Sequence, residues 1–339
     1  DSWFSSNKEG FDSPWDRQCL IMFKIAIIEK IHADGLDLLD KNPNYEFDLI
    51  TNTSEENLIK VLPYYDACTL RVSKLYSKIL QHCKKLKVIS RHGVGYDNVD
   101  LKFIKENNIS LLITATANAV AVAEHVFSMM LSISKSVKTY DNEVRKGNFK
   151  KNANNIKTFE LLNKNILIAG FGRIGRNLIN KCLAFDMNVN VYDPYVDSSI
   201  IEKLGGKKII SFDEGLYNAD FLSIHMPLTI ETKNLINYLN LKKMKKNSVI
   251  INTARGGIIN ENDLDKAINE KLIFGAALDV FENEPINLDN PLLKNDKVIL
   301  SPHSATFTDE CTSRMSIETT KNIIDFFDKK IDKSMIVKL

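Results

Sequence analysis

The stretch NILIAGFGRIGRNLINKCLAF, residues 165–185, places Gly170, Gly172 and Gly175 in a GxGxxG pattern. A strand-length apolar run precedes the first glycine, and an amphipathic run of helical spacing follows the second. A dinucleotide-binding turn needs that context: a tight turn at Gly170, close backbone approach to a pyrophosphate at Gly172, and close helix packing at Gly175. The N-terminal amides of the helix would face the anion. Asp193, in VYDPY, ends the next apolar run about 20 residues on, where a carboxylate can accept from a ribose 2′-hydroxyl. Pro194 and Tyr195 follow it rather than Arg or Lys, so a 2′-phosphate would be repelled and NAD is expected over NADP. The plainer reading is a glycine turn beside an unrelated aspartate.

This turn opens the second of two alternating series. From Phe23 to about Thr114 the runs FKIAII, EFDLI, DACTL, LKVIS and SLLIT alternate with helix-compatible stretches such as SEENLIKVL. From Asn165 onward NILIAG, NVNVYD, KKIIS, DFLSIH, SVIINT, FGAALDV and KVILS do the same. Such alternation predicts parallel sheets with crossover helices, hence two Rossmann-like or flavodoxin-like α/β domains with a cleft between them. Between the series, Asn118 is expected to cap one long, mostly buried helix over residues 119–138. Residues 1–21 have no clean period and read as a leader or expression remnant.

Composition narrows the function. The 339 residues carry 45 basic and 43 acidic side chains, a formal charge of +2, so no concentrated field draws nucleic acid or membrane surface. The five cysteines are odd in number and form no CxxC pair, which argues against a disulfide framework or a metal site and fits a reducing cytoplasm. The run CLIMFKIAII carries Lys24 and is too short to span a bilayer. Small-molecule chemistry is the better expectation.

Further strand ends in the second series carry charged groups: Arg255 in INTARGG, Asp279 and Glu284 in ALDVFENEP, and His303 in SPHSAT. Carboxyl ends of parallel strands face the ligand crevice, so these groups are expected to converge beside the dinucleotide. An imidazole can take a hydroxyl proton while hydride leaves the same carbon, and a glutamate on its other nitrogen fixes the tautomer and raises its basicity. A forked guanidinium suits a substrate carboxylate. Each has a bland reading too: a solvated loop acid for Glu284, a surface ion pair for Arg255, a helix cap for Asp279, a hydrogen-bonded core residue for His303.

The motifs RHGVGYDNVDL, ANAVAVAEHVF, GFGRIGR, HMPLT, INTARGG, ALDVFENEP and SPHSA, in this order, resemble those of the D-isomer-specific 2-hydroxyacid dehydrogenases, the family of D-3-phosphoglycerate dehydrogenase. The resemblance runs from Phe23 to Leu339. It implies a discontinuous substrate domain, residues 22–119 plus 305–339, and an NAD-binding domain, residues 120–304. It makes Arg255, Glu284 and His303 the catalytic set. Gly170, Gly172, Arg173, Ile174, Gly175, Asp193, Met226, Thr253 and Ala254 would hold NAD, with Arg173 and Ile174 offering amides to the pyrophosphate, and Asp279 would bind the nicotinamide amide. The helix from Ala119 to Val137 suggests a homodimer. Asn163, Asn165 and Ile230 depart from the usual pattern without touching the chemistry, and Glu284 sets the chain apart from the formate dehydrogenases, which carry glutamine there.

The resemblance also implies that Val94 and Gly95 present amides to the substrate carboxylate. Arg71 and Arg91 follow strands of the first series, and two guanidiniums there suit a phosphate. They resemble arginines of the phosphoglycerate branch, so the first expectation is NAD-dependent conversion of 3-phosphoglycerate to 3-phosphohydroxypyruvate, a step of serine biosynthesis. If both are merely solvated charges, the enzyme is a glyoxylate or hydroxypyruvate reductase or another D-2-hydroxyacid dehydrogenase. A third class, an NAD-sensing corepressor that recognises peptides, has no need of a phosphate clamp. The chain carries none of the C-terminal regulatory domains common in the phosphoglycerate branch, so feedback by serine is not expected.

Overall fold

The structure is a computed structural model that describes residues 22–149 and 156–339, so the expected leader at 1–21 lies outside the described residues. By contact the chain divides into two compact units, one made of the chain up to Ala115 with Ser313–Leu339, the other of Thr116–Thr312. The sequence reading puts the crossings at 119/120 and 304/305. Residues 305–312 stay with the second unit because the Ala305 amide donates to Asp279 at 3.0 Å and Cys311 Sγ lies 3.8 Å from the Ala117 carbonyl oxygen.

The first unit holds β1 (Phe23–Ile28), α1 (Ala33–Asp40), β2 (Tyr45–Ile50), α2 (Glu55–Val61), β3 (Ala67–Leu70), α3 (Ser77–Leu80), β4 (Val88–Arg91), α4 (Leu101–Glu106) and β5 (Ser110–Ile113). Its five parallel strands lie in the order β2-β1-β3-β4-β5, the flavodoxin-like arrangement. Both faces are covered, which explains why β1 is an unbroken apolar run: Ala26 and Ile28 join one core, Ile25 and Ile27 the other.

The second unit holds α5 (Ala119–Ser134), α6 (Val137–Arg145), β6 (Asn165–Ala169), α7 (Arg173–Leu183), β7 (Asn188–Tyr192), α8 (Ser198–Lys203), β8 (Lys207–Lys208), α9 (Phe212–Asn218), β9 (Phe221–Ile224), α10 (Tyr238–Lys243), β10 (Val249–Asn252), α11 (Glu261–Asn269), β11 (Gly275–Leu278) and β12 (Val298–Leu300). Its seven strands run β12-β11-β10-β9-β6-β7-β8. The chain starts in the middle at β6, winds outward through β7 and β8, then returns to the other side of β6 with β9. That reversal makes a switch point between β6 and β9, where ligands of such sheets bind at the carboxyl ends of the strands. Alternate residues of β6 again face opposite cores, Ile166 and Ile168 on one side, Leu167 and Ala169 on the other.

The single helix expected over 119–138 is two. Lys135 ends α5, its amide bonded to the Leu131 carbonyl, and Ser136 takes a left-handed φ of 51° before α6 begins. The local reason is the serine-rich SISKS, a run of weak helix formers where the buried stripe ends. Asn118 does occupy the N-cap position of α5, but its side chain makes no capping bond. Among the described residues, no helix is long and apolar enough to cross a membrane.

The last helix, α12 (Asp309–Phe327), closes the first unit. Phe327 stacks on Phe23 at 3.8 Å between ring centroids, the Ser90 hydroxyl donates to the Thr319 carbonyl at 2.8 Å, and the Val337 amide donates to Leu111 at 2.9 Å. The crossing of α1 and α12 is tight enough to require a glycine. A Cβ on Gly35 would lie 2.0 Å from Ser316 Oγ and 2.6 Å from the Ser316 backbone. Alanine gains up to about 1 kcal/mol of helix propensity over glycine, whereas overpacking costs about 1–3 kcal/mol. Gly35→Ala should therefore lower the urea midpoint of the first unit, and an unchanged or higher midpoint would show that the helices part without cost.

Candidate active site

The turn after β6 has the geometry its sequence predicts. Gly170 adopts φ 96°, and a Cβ there would meet the His225 carbonyl at 2.7 Å, so the ends of β6 and β9 touch backbone to backbone. A Cβ on Gly175 would lie 2.7 Å from the Gly170 carbonyl oxygen, which seats α7 against the turn. Gly172, the N-cap of α7, meets nothing within 4 Å at its Cβ position. The first-turn amides, including those of Arg173 and Ile174, have no intrahelical acceptor in any α-helix, so the turn offers donors at an open corner. Asp193 braces it: one carboxylate oxygen accepts from the Phe171 amide at 2.8 Å, the other from the Tyr195 amide at 2.9 Å. A carboxylate has about four lone-pair sites, so acceptor capacity remains for a ribose hydroxyl.

Other groups from this sheet fit the same ligand. The Thr253 hydroxyl is buried without a hydrogen-bond partner, as is His225 Nδ1. His225 Nε2 pairs with Ser223 Oγ at 2.7 Å, and burial pushes the imidazole pKa down to about 4, so this histidine is neutral at physiological pH. Met226, half-buried, follows it. The Asn252 side chain shapes the next turn, accepting from the Ala254 amide at 3.0 Å and donating to the Arg255 carbonyl at 2.8 Å. An open glycine corner, orphaned buried polar atoms and an anionic brace fit a dinucleotide with a free 2′-hydroxyl.

The structure brings His303 and Glu284 together, Nδ1 to Oε2 at 2.7 Å. Glu284 Oε1 accepts from the Phe281 amide at 3.0 Å. Burial pushes the Glu284 carboxyl up, but the bonds from His303 and Phe281 and the charges of His303 and Arg255 outweigh it and hold the group below its ordinary range. An ionised carboxylate only accepts, so Nδ1 must carry the proton and Nε2 is left for other chemistry. His303 sits at a left-handed φ of 51°, half its side chain exposed. Arg255 donates through Nη1 to the Ala254 carbonyl at 2.6 Å.

Asp279, the expected partner of the nicotinamide amide, is gripped by the chain around it. The residue has no exposed surface. Its Oδ1 accepts from Ser301 Oγ at 2.5 Å and the Ser304 amide at 2.8 Å, its Oδ2 from the Ala305 amide at 3.0 Å, and its carbonyl from the His303 amide at 2.8 Å. His125 of α5 approaches Ser301 Oγ at 3.0 Å and Asp279 Oδ1 at 3.5 Å. Burial raises the Asp279 carboxyl, yet these bonds together hold it below the usual range. A buried charge needs such satisfaction, and the segment after β12 supplies it by wrapping around the carboxylate. The sequence carries no local sign of the roles of His125 and Ser301, which lie 176 residues apart.

In the first unit the arginine pair also meets the protein backbone. Arg91 donates through Nε to the Gly95 carbonyl at 2.7 Å, and through Nη1 to Leu70 at 2.6 Å and to Arg71. Carbonyls at the ends of β3 and β4 need donors, and a planar five-donor fork meets several at once, so Arg91 is an internal brace. Arg71 Nη1 donates to the Lys30 carbonyl at 2.6 Å. Val94 is exposed on the loop after β4, with Gly95 beside it.

Comparison with known proteins accords with this geometry. Residues 127–305 match the family model described as D-isomer specific 2-hydroxyacid dehydrogenase, NAD binding domain. The chain is 34% identical over 303 residues to a D-3-phosphoglycerate dehydrogenase of Archaeoglobus fulgidus, covering 89% of this chain and 57% of that one. It is also 34% identical over 304 residues to a hydroxypyruvate reductase of Thermotoga maritima, covering 89% of this chain and 97% of that one. Among solved structures, D-lactate dehydrogenase from Aquifex aeolicus, complexed with NAD and lactic acid, superposes with a TM-score of 0.81 at 27% identity, over 92% of this chain and 98% of that one. The chain belongs to the D-isomer-specific 2-hydroxyacid dehydrogenase family and contains its NAD-binding domain. It spans 50–58% of the length of the phosphoglycerate dehydrogenases it matches.

The lowered Glu284 carboxyl has a measurable consequence for stability. A group whose folded pKa lies below its unfolded value contributes fully above the unfolded value, about 4.3 for glutamate, and loses that contribution as pH falls through the folded value. The stability difference between the native chain and Glu284→Gln should be flat from neutral pH to about 5 and shrink below about 4.3. Urea midpoints across that range test it, and a gap that widened toward acid would contradict the assigned sign.

Proposed function

We propose that the protein is an NAD-dependent oxidoreductase that interconverts a D-2-hydroxy acid and its 2-oxo acid. The observation that carries this reading is the 2.7 Å bond between His303 Nδ1 and Glu284 Oε2, in the same unit as an NAD-binding turn. NAD, when bound, supplies the hydride acceptor. The protein's own groups handle charge and protons. Arg255 holds the substrate carboxylate and polarises the reacting oxygen. His303 takes the hydroxyl proton at Nε2 during oxidation and returns it during reduction. Glu284 holds Nδ1–H and stabilises the imidazolium that forms. The Thr253 hydroxyl, the amides of Arg173 and Ile174 and the Asp193 carboxylate hold the cofactor, and the charge of Asp193 selects against a 2′-phosphate.

Within this class we infer 3-phosphoglycerate as substrate, with the phosphate on Arg71 and Arg91 and the carboxylate on the amides of Val94 and Gly95. One observation favours a second reading. The Nε and Nη1 donors of Arg91 are on backbone carbonyls, which leaves less of its fork for a phosphate and suits an unphosphorylated substrate such as hydroxypyruvate or glyoxylate. We also infer a cytoplasmic location and a homodimer, the latter supported by α6, which buries no residue and exposes Val137, Tyr140 and Val144 along one stripe.

His303→Ala should lower kcat by about 10²–10⁴-fold with NADH affinity largely retained, the magnitude of a lost general acid–base group. Loss of cofactor binding along with turnover would make the residue structural. Turnover on 3-phosphoglycerate, hydroxypyruvate, glyoxylate and other D-2-hydroxy and 2-oxo acids decides the substrate. Arg71→Ala should raise KM far more for a phosphorylated substrate than for an unphosphorylated one, and equal effects would remove the phosphate assignment. No turnover on any of them would favour an NAD-sensing role.

A further inference from the structure

Beside the histidine–glutamate pair lies a buried acid that the proposed chemistry does not use. Glu261, the first residue of α11, is 8% exposed. Its Oε1 accepts from the Glu282 amide at 2.6 Å and its Oε2 from Asn290 Nδ2 at 2.5 Å. Its own amide donates back to Glu282 Oε1 at 3.1 Å, so the two residues bind each other reciprocally. The next amide along, that of Phe281, is the one held by Glu284. Consecutive amides of the segment leading to Glu284 are thus pinned by two carboxylates, one of them on another element.

The other side of this contact is the chain that follows Arg255. A Cβ on Gly256 would lie 1.8 Å from the Phe281 carbonyl oxygen, so the two backbones already touch there. Glu261 fastens the same two segments a few residues further along. Burial raises its carboxyl, with Glu282 and Glu284 pushing the same way against the bonds from Glu282 and Asn290, so the acid is held there against electrostatic cost.

We propose that Glu261 is a positioning residue that clamps the segment carrying Glu284 onto the segment carrying Arg255, and so fixes how Glu284 meets His303. The inference rests on the dehydrogenase reading for its kinetic consequence, but not for its structural one. Without the Glu261 carboxylate the Glu282 amide is left unpaired, the turn from Phe281 to Glu284 loosens, and the Nδ1–H bond of His303 loses its fixed acceptor. Misplacement of a catalytic group by about 1 Å can cost about 100-fold in rate.

Two variants and two measurements test the clamp on the full chain. Glu261→Ala should lower kcat by about 10- to 100-fold with NADH affinity unchanged. In ¹⁵N-histidine-labelled protein it should remove the downfield Nδ1–H resonance of His303, identified by its absence in His303→Ala. Glu261→Gln keeps an oxygen for the Glu282 amide and should restore most of both. A folded Glu261→Ala with the resonance in place overturns the proposal whatever its kcat, as does a glutamine variant that restores neither quantity. If Glu261→Ala does not fold, Asn290→Ala removes one donor to the same carboxylate: a shifted His303 resonance supports the clamp, an unshifted one overturns it. Should the native chain turn over no hydroxy or oxo acid, the dehydrogenase reading fails alone, because the resonance still reports on the clamp.

Discussion

A carboxylate with no exposed surface governs the geometry of the site. Asp279 directly follows β11, where its charge is out of reach of water, and a buried charge persists only if donors surround it. The donors are Ser301 Oγ and the amides of Ser304 and Ala305, and the chain reaches all three only by curling around the acid directly after β12. That curl places His303 at φ 51°, a conformation tolerated because its amide is held by the Asp279 carbonyl. The imidazole is thereby turned toward Glu284 while its backbone stays anchored to the sheet. An exposed, reactive side chain is built on a fully buried ionic one.

The second sheet explains why the remaining groups gather at one end. Every strand is parallel, so every carboxyl end points the same way, and the reversal between β6 and β9 opens the crevice beside Gly170. Residues that follow β9, β10, β11 and β12 therefore share a rim: His225, Arg255, Asp279 and His303. The alternation of each strand's side chains between two cores keeps this rim rigid, because a slip of one residue would exchange the two buried faces.

Much of this was legible in the sequence because the signals are local. Most strands of both sheets lie in short apolar runs, and the three glycines of the turn are decided by backbone demands within a few residues. The pairing of His303 with Glu284 followed from placing both at neighbouring strand ends. What the sequence did not display rests on contacts that are remote or weak. Arg91 reads as a free strand-end cation until the carbonyls of Leu70 and Arg71, some twenty residues away, are seen to need its donors. The donors that the loop from 301 to 305 brings to Asp279 are likewise not displayed at its own strand end. The break at Ser136 turns on small differences in helix propensity, which no periodicity displays. His125 and Glu261 gave no sign, since each acts through a partner that only the fold brings near.

The division of the chain has a consequence for its birth on the ribosome. One face of the five-stranded sheet is closed by α12, whose Thr319 carbonyl receives the Ser90 hydroxyl across 229 residues of sequence. At about 5–20 residues per second, the interval between making the sheet and making its cover is roughly 10–45 seconds. Throughout that time Phe23 and Tyr45 lack the aromatic neighbour Phe327, while the entire second unit emerges with both faces of its own sheet supplied. Synthesis order thus lets the inserted unit be complete before the unit that it interrupts.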